Sequence, residues 1–252
     1  MADLDAAVDV LRRAGRILAY TGAGCSTESG IPDFRGPDGL WTKVDPDDFT
    51  IHRYISSREI RVRSWRMHQE GALWGDRADI QPNAAHFALT DLWTRGRLSG
   101  VVTQNVDGLH RAAGLGPEAV AELHGNVRES LCLQCAARWP TREVLTWVDG
   151  GMEDPTCPHC GGIVKTTTVM FGELLPTDEM DKAQAMADEA DAVLVVGSTM
   201  GVYPAALVPL SVVQRGGPMV IVNLGPTDHD DAATVKVDGR AGATMTAIAA
   251  RI

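Results

Sequence analysis

Apolar residues along the chain occur in two patterns, one with the spacing of a helix and one typical of a buried strand. The alternation between these two patterns predicts the elements of an α/β fold. Residues 6–14 place apolar side chains at helical spacing, whereas residues 16–21 form a short apolar run typical of a buried strand. In the final third of the chain the strand pattern and the helix pattern alternate several times, which indicates a parallel sheet covered by helices. Its predicted strands span 169–173, 191–199, 218–225 and 234–237, and its predicted helices span 178–189, 203–215 and 243–251.

The middle of the chain departs from this regular exchange. Residues 40–81 carry an irregular helical pattern rich in Trp, Arg and Met, which predicts a small helical module inserted between the first two strands. A well-marked helix over 84–95 is closed by Gly96, and a strand over 101–103 follows it.

Composition is that of an ordinary globular protein. Of 252 residues, 44% are hydrophobic and 22% are charged, so the chain can bury a core of its own. The formal net charge of −10 argues against general binding of nucleic acid, which requires a basic surface. No apolar stretch approaches the length of a membrane span, and the acidic first residues lack the pattern of a signal peptide. We therefore expect a cytoplasmic protein that binds neither membranes nor nucleic acid, and its oligomeric state stays open.

Polar side chains follow the strand over 101–103 immediately. Gln104, Asn105 and Asp107 come directly after it, and ligands of open α/β sheets bind just beyond the carboxyl ends of strands. These side chains are therefore candidates to enter a crevice. An alternative is that Asn105 or Asp107 caps a short helix over 108–113. Two later strands also end in polar or glycine residues, namely Gly197, Ser198 and Thr199 and then Asn223.

A glycine-rich turn leaves the first strand at Gly22 and Gly24. Such a turn brings backbone N–H groups close to a pyrophosphate. The usual dinucleotide fingerprint is incomplete, because Thr27 stands where a third glycine is expected and no second strand ends in an acid for the ribose. Residues 29–39 contain two prolines and three glycines, so they form a loop, and its position beside the turn favours contact with a ligand.

Four of the five cysteines form two Cys-x-x-Cys pairs, and only Cys25 stands apart. The pairs are separated by 21 residues, and two such knuckles complete a tetrahedral zinc shell. Because all four ligands are sulfur, no position is left for water, and the zinc is expected to be structural. The predicted ligands are Cys132, Cys135, Cys157 and Cys160.

Several short motifs then occur in one fixed order. They are GAGCS at 22–26, GIPDFR at 30–35, TQNVD-x-LH at 103–110, HG at 124–125, the paired cysteines and FGE at 171–173. The ordered set resembles the sirtuins, which are NAD-dependent protein lysine deacylases, from about residue 12 to the end. The runs at 60–65 and 81–86 resemble the class II branch of that family.

The resemblance implies an α/β fold with a Rossmann-like parallel sheet domain and a smaller lobe built from a helical module and a zinc-ribbon module. The implied Rossmann-like domain comprises 1–39, 84–129 and 164–252, the helical module 40–83 and the zinc module 130–163. NAD, as co-substrate, and an acyl-lysine peptide would enter the cleft between the lobes. One structural zinc per chain completes the expected set of bound groups, and proteins bearing acyl-lysine are the expected partners.

The same resemblance implies a site residue by residue. His124 would be the general base, a task that suits an ordinary histidine pKa near 6.5, with Asn105 and Asp107 as further catalytic residues. The implied NAD contacts are Gly22, Ala23, Gly24, Ser26, Asp33, Phe34, Arg35, Gln104, Asn105, Val106, Asp107, Gly197, Ser198, Thr199, Asn223, Leu224, Gly225 and Ala241. The implied contacts to the acyl-lysine peptide are Val169, Phe171, Gly172, Glu173, Met200, Gly201 and Val202.

The implied reaction is cleavage of NAD to nicotinamide, with transfer of the acyl group from lysine to ADP-ribose. The succinyl-preferring branch carries Tyr-x-x-Arg where this chain has Trp65-x-x-His68, so succinyl preference lacks support, although a protonated His68 could bind an acid weakly. Cys25 is either packed or redox-sensing. Mono-ADP-ribosyl transfer and removal of long or branched acyl groups are alternatives within the fold, and a zinc-containing binding protein is an alternative outside catalysis.

Overall fold

The structure is a computed structural model that describes residues 2–33, 39, 44–73 and 79–252. Its strands are β1 (Ile17–Thr21), β2 (Leu98–Thr103), β3 (Val120–Glu122), β4 (Glu129–Cys132), β5 (Arg138–Pro140), β6 (Val164–Thr166), β7 (Ala192–Val196), β8 (Met219–Asn223) and β9 (Val235–Asp238). Its α-helices are α1 (Ala2–Arg13), α2 (Ile51–Ser56), α3 (Arg58–Gln69), α4 (Ala84–Thr94), α5 (Leu109–Ala112), α6 (Thr141–Asp149), α7 (Thr177–Asp188), α8 (Leu207–Gln214) and α9 (Ala241–Ala249).

Six strands form one parallel sheet in the order β3-β2-β1-β7-β8-β9. β1 lies in the middle. The chain adds β2 and β3 on one side of it, then crosses over and adds β7, β8 and β9 on the other side. The inner strands read as continuous apolar runs, and every residue of β1, β7 and β8 is buried. Such runs are typical of a parallel sheet covered by helices on both faces.

Helices cover both faces of this sheet. On one face α1, α4 and α9 pack through side chains such as Leu11, Leu89 and Met245. On the other face α7 and α8 pack through side chains such as Met186 and Val212. Burial of these two apolar layers holds the sheet rigid, and its carboxyl edge therefore presents fixed positions.

A second, antiparallel sheet has three short strands in the order β5-β4-β6. Its core includes Val144 and Val148 of α6 and Val164 of β6. Trp65 of α3 is buried in the same cluster, so α3 and the small sheet share one apolar core. The expected α/β fold with a parallel sheet and a separate cysteine-bearing sheet is confirmed. None of the helices in the described ranges has the length and apolar character needed to cross a membrane.

One predicted strand is wrong, and one predicted helix begins later than expected. Residues 169–173 do not form a strand, because their backbone hydrogen bonds go to two different segments. Val169 N–H donates to the carbonyl of His124, whereas Phe171 N–H donates to the carbonyl of Phe49. Gly172 then takes a left-handed φ of +86°, which ends any extended run. The helix predicted over 203–215 begins only at Leu207. This start places Pro209 in the first turn, where its missing N–H removes no helical hydrogen bond.

Candidate active site

One cavity of about 830 Å³ lies at the carboxyl edge of the large sheet. The loops that follow β1, β2, β7 and β8 all contribute to it, as the polar strand ends predicted. The predicted site residues that line it are Gly22, Ala23, Gly24, Asp33, Gln104, Asn105, Val106, His124, Val169, Phe171, Gly172, Glu173, Gly197, Ser198, Thr199, Val202, Asn223, Leu224 and Ala241. Those that lie outside its lining are Ser26, Asp107, Met200, Gly201, Gly225 and the zinc ligands. Phe34 and Arg35 lie outside the described residues.

The glycines after β1 are required by close backbone packing. A Cβ atom on Gly22 would stand 2.8 Å from the carbonyl oxygen of Gly197, and a Cβ on Gly24 would stand 2.8 Å from the Cα of Gly197. Gly197 itself has φ of +61°, so three glycines let the loops after β1 and β7 touch. The cavity wall here is therefore backbone, which leaves room for a group that packs against peptide units.

Asn105 and Asp107 belong to a buried hydrogen-bond network. Ser26 Oγ donates to Asp107 Oδ2 at 2.8 Å, and Asn105 Nδ2 donates to Ser26 Oγ and to the Gly22 carbonyl, both at 3.0 Å. Asp107 Oδ1 also accepts from Leu109 N–H at 2.8 Å, so Asp107 holds the first residue of α5 while it fixes Ser26. The N-cap of α5 is Gly108, so the alternative that Asn105 or Asp107 caps this helix is wrong. Burial raises the pKa of Asp107, and the hydrogen bonds from Leu109 and Ser26 act against that rise. Of the two, Asn105 reaches the cavity, and Asp107 stands behind it.

His124 presents one ring nitrogen to the cavity and fixes the other. Its Nδ1 lies 3.0 Å from the carbonyl oxygen of Gln104. A carbonyl only accepts, so Nδ1 carries the proton, and Nε2 keeps the lone pair of a base. Burial lowers the pKa of His124, and the bond to Gln104 acts in the opposite direction. The neutral, basic form is therefore favoured at neutral pH.

Gln104 holds an unused donor at the cavity. Its Oε1 accepts from Ser198 Oγ at 3.1 Å, whereas its buried Nε2 has no hydrogen-bond partner among the described residues. A buried donor without an acceptor is costly, so a ligand oxygen at this position would be favourable.

A buried lysine that the sequence reasoning missed fixes the far wall of the cavity. Lys165 Nζ, on a side chain only 4% exposed, lies 3.1 Å from Glu173 Oε2 and donates to the Thr168 carbonyl at 2.8 Å. Glu173 Oε2 also accepts from Met170 N–H at 2.7 Å. Burial lowers the pKa of Lys165, and Glu173 opposes that change. A lone lysine within the apolar and Thr-rich run 163–170 was the signal that could have indicated this pair.

The four paired cysteines converge on one point in the small sheet. Their Sγ atoms all lie within 4.8 Å of one another, with Cys132 to Cys160 and Cys135 to Cys157 each at 3.5 Å. A tetrahedral site with Zn–S bonds of about 2.3 Å needs sulfur atoms roughly 3.8 Å apart, so the cluster fits zinc. Cys25 is separate: it is fully buried in the apolar core, and burial raises its thiol pKa. A thiol held protonated in this way is unreactive, which argues for packing rather than redox sensing.

Fold and site together define an α/β protein with a large cavity at the carboxyl edge of its parallel sheet and a separate four-cysteine cluster that could hold a metal ion. A sequence profile of the Sir2 family matches residues 22–204. NAD-dependent protein deacetylase 2 of Streptomyces coelicolor is 42% identical over 235 residues, covering 92% of this chain and 95% of that protein. NAD-dependent protein deacetylase 1 of Pyrobaculum aerophilum is 39% identical over 239 residues, covering 95% and 91%.

Solved structures agree with these relatives. A structure described as Sir2–p53 peptide–NAD+ is 37% identical and superimposes with a TM-score of 0.84 over 94% of this chain and 93% of that chain. A structure described as Sir2 bound to acetylated peptide is 35% identical, with a TM-score of 0.85 over 96% and 95%. The chain therefore belongs to the Sir2 family, the sirtuins. It is an NAD-dependent protein deacetylase whose co-substrate is NAD, and its four-cysteine cluster is consistent with a structural zinc.

Proposed function

We propose that the cavity at the sheet edge is the deacetylation site, with His124 as its general base and acetylated lysines of other proteins as its substrates. The observation that carries this proposal is the fixed tautomer of His124. Its Nδ1–H is committed to the Gln104 carbonyl, so only Nε2 is free to take a proton in the cavity. The expected lone histidine thus has the orientation and the neutral charge state that a base needs.

The co-substrate fits the backbone wall beside β1. Gly22, Ala23 and Gly24 offer a surface free of bulky side chains to phosphates, and the free Nε2 of Gln104 offers a donor to a sugar or amide oxygen. Asn105 lies between these two features and would orient the nicotinamide end. When bound, NAD supplies a sugar carbon that accepts the acyl oxygen as nicotinamide leaves. Asp107 serves as the buried anchor of Asn105 through Ser26, rather than as a direct contact.

The peptide side of the cavity is marked by exposed apolar residues. Phe171 is 50% exposed, Leu174 is 93% exposed and Tyr203 is 57% exposed, although all three line the cavity. Such side chains at a cavity mouth favour the binding of an extended peptide. The backbone of 171–174 on one side and of 200–203 on the other would hold it, with Val169 and Val202 against the lysine stem. We further propose the two-lobe organisation and the class II placement given above, and the cytoplasm as compartment.

The test follows both products of one reaction. The protein is incubated with NAD and an acetyl-lysine peptide, and nicotinamide and deacetylated peptide are measured together. We expect equal amounts of both. Loss of the base in His124→Ala should lower kcat about 100-fold or more, because general bases contribute roughly 10²- to 10⁴-fold.

A matched control is His52→Ala, which removes an exposed histidine on α2 and should leave kcat unchanged. Circular dichroism and zinc content should be those of the unmodified protein in both variants. If His124→Ala kept full activity, or if NAD modified the protein without releasing deacetylated peptide, the proposed roles would be wrong.

A further inference from the structure

His68 of α3 lines the active-site cavity. Tyr54, Trp65 and Val169 line the same cavity. His68 also lines a second cavity of about 330 Å³. The remaining lining of the second cavity is Gln69, Glu70, Gly71, Arg142, Leu145, Thr146 and Asp149. The imidazole therefore forms the partition between the two spaces, and it is only 6% exposed.

The imidazole carries an unused polar atom. His68 Nδ1 is buried and has no hydrogen-bond partner in the described part of the chain. The ring of Trp65 lies beside it, with ring centroids 5.6 Å apart. A buried polar atom without a partner costs free energy, and a ligand that pairs with it recovers that cost.

The charge of His68 decides which ligand fits. Burial lowers its pKa to about 4, so the ring is neutral at neutral pH. A neutral imidazole offers one N–H and one lone pair, which suits a hydroxyl group that can both donate and accept. A carboxylate would lose its hydration at this position, and the neutral ring of His68 would offer it no positive charge in return. The weak acid binding that a protonated His68 would give is therefore not available at neutral pH.

We propose that His68 is a specificity-determining residue that hydrogen-bonds a hydroxyl on the acyl chain, so that the protein prefers short hydroxyacyl-lysines to unsubstituted acyl-lysines of the same length. This inference rests on the proposed function, because it requires the acyl group to enter the cavity past Val169. The chemical class is a neutral acyl chain that carries a hydroxyl on the second carbon beyond the carbonyl carbon, as in 3-hydroxybutyryl-lysine.

The experiment compares 3-hydroxybutyryl, butyryl, succinyl and acetyl peptides of one sequence at saturating NAD. In the unmodified protein, kcat/KM for the better 3-hydroxybutyryl enantiomer should exceed that for butyryl by about threefold to tenfold, the usual yield of one hydrogen bond. In His68→Phe, which keeps a ring in the partition but has no polar atom, this ratio should fall to one or below. His68→Gln, which restores a donor and an acceptor, should recover part of the preference. The ratio is taken within each variant, so losses common to both substrates cancel.

Met67→Leu is the matched control, because Met67 precedes His68 on α3 but packs into a different apolar cluster. It should leave the ratio unchanged. Equal kcat/KM for 3-hydroxybutyryl and butyryl in the unmodified protein, a ratio that survives His68→Phe, or a preference for succinyl would each overturn the inference. Turnover of the acetyl peptide in the same series distinguishes failure of this inference from failure of the proposed function. Active protein without hydroxyacyl preference refutes only the role of His68. Absence of any deacylation refutes the proposed function as well.

Discussion

At the scale of single residues, the site depends on buried polar groups whose partners are fixed by the fold. Asn105 shows this most clearly, because both protons of its amide are used, one on Gly22 and one on Ser26. Its remaining oxygen is thereby aimed by two bonds from the amide to the loop that follows β1. The same logic applies to His124, whose tautomer is set by a backbone carbonyl rather than by another titratable group. The rigid sheet edge holds these side chains in place before the reaction, so little further entropy is lost in orienting them when the reaction occurs.

The Lys165–Glu173 pair supports a prediction at this scale. Lys165→Met leaves the Glu173 carboxylate without its cation in a largely buried position. We expect the free energy of unfolding to fall by about 3 kcal/mol, the lower end of the range for breaking a buried pair, because Glu173 keeps a side-chain exposure of 21%. Since Glu173 also ties Met170, we expect a raised KM for the peptide. Urea unfolding and steady-state kinetics measure the two effects.

A double-mutant cycle provides the control for that prediction. Glu173→Gln should lower the free energy of unfolding less in the Lys165→Met background than in the unmodified protein. In that background Glu173 has already lost its cation, so removing its charge breaks no ion pair. Equal costs in the two backgrounds would show that the two side chains are not coupled.

The residue scale also shows what the sequence could and could not predict. The polar run after β2 indicated a crevice, yet the run alone could not separate Asn105, which lines the cavity, from Asp107, which lies outside the lining and bonds the first residue of α5. That difference arises from the direction of each side chain in a turn, and turn direction depends on contacts with Ser26 and Arg128 that are distant in sequence. Lys165 was missed for the same reason, since its partner Glu173 approaches only through an irregular segment.

At the scale of elements, periodic patterns predicted the helices and the buried strands well and the irregular connections poorly. β7 and β8 were indicated by continuous apolar runs because both of their faces are covered. The edge strand β3 and the strands of the small sheet are only three or four residues long, too short for a period to be detected. The segment 169–173 looked like a strand by composition, but its backbone bonds to two different neighbours.

The cysteine cluster allows a prediction for the small sheet as an element. Cys132→Ala removes one of four thiolates from a closed shell, and we expect the loss of about one zinc per chain. Because Cys132 is the last residue of β4 and is buried in the core of the small sheet, we also expect weaker near-ultraviolet circular dichroism from Trp139 and Trp147, which pack against that core. Zinc is measured by atomic absorption on the purified protein.

Cys25→Ala is the matched control for zinc. It removes one thiol that lies in the core of the large sheet, far from the cluster in the fold, so zinc content should not change. Full zinc content in Cys132→Ala would contradict the ligand assignment.

At the scale of the whole molecule, buried histidines link stability to pH. Burial lowers the pKa of His68 and His86 to about 4 and lowers those of His110 and His124 as well. In the unfolded chain these rings titrate near 6.5, so between about pH 6.5 and 4 the unfolded state binds more protons. Stability is therefore full above about pH 6.5 and declines as the pH falls through that window, by about 1.4 kcal/mol per pH unit for each proton involved.

Two buried carboxyls act in the opposite direction. Burial raises the pKa of Glu122 to about 7 and raises that of Asp107. A carboxyl with a raised folded pKa stabilises the fold at low pH, and that contribution is lost as the pH rises through the folded pKa. Four histidines outnumber two carboxyls in this window, so net loss of stability on acidification is expected. Because the carboxyls oppose the histidines, the free energy of unfolding should change less steeply with pH than four independent histidines would give.

His68→Phe isolates one contribution to this slope. Phenylalanine binds no proton in either state, so the variant should lose stability less steeply between pH 6.5 and 4.5, by about 1.4 kcal/mol per pH unit at most. Urea unfolding at pH 7.5, 6.5, 5.5 and 4.5 measures the free energy of unfolding in both proteins, and zinc release at low pH affects both alike. An unchanged slope in His68→Phe would mean that the imidazole is protonated within the fold, and the same result would remove the neutral ring on which the proposed recognition of a hydroxyl depends.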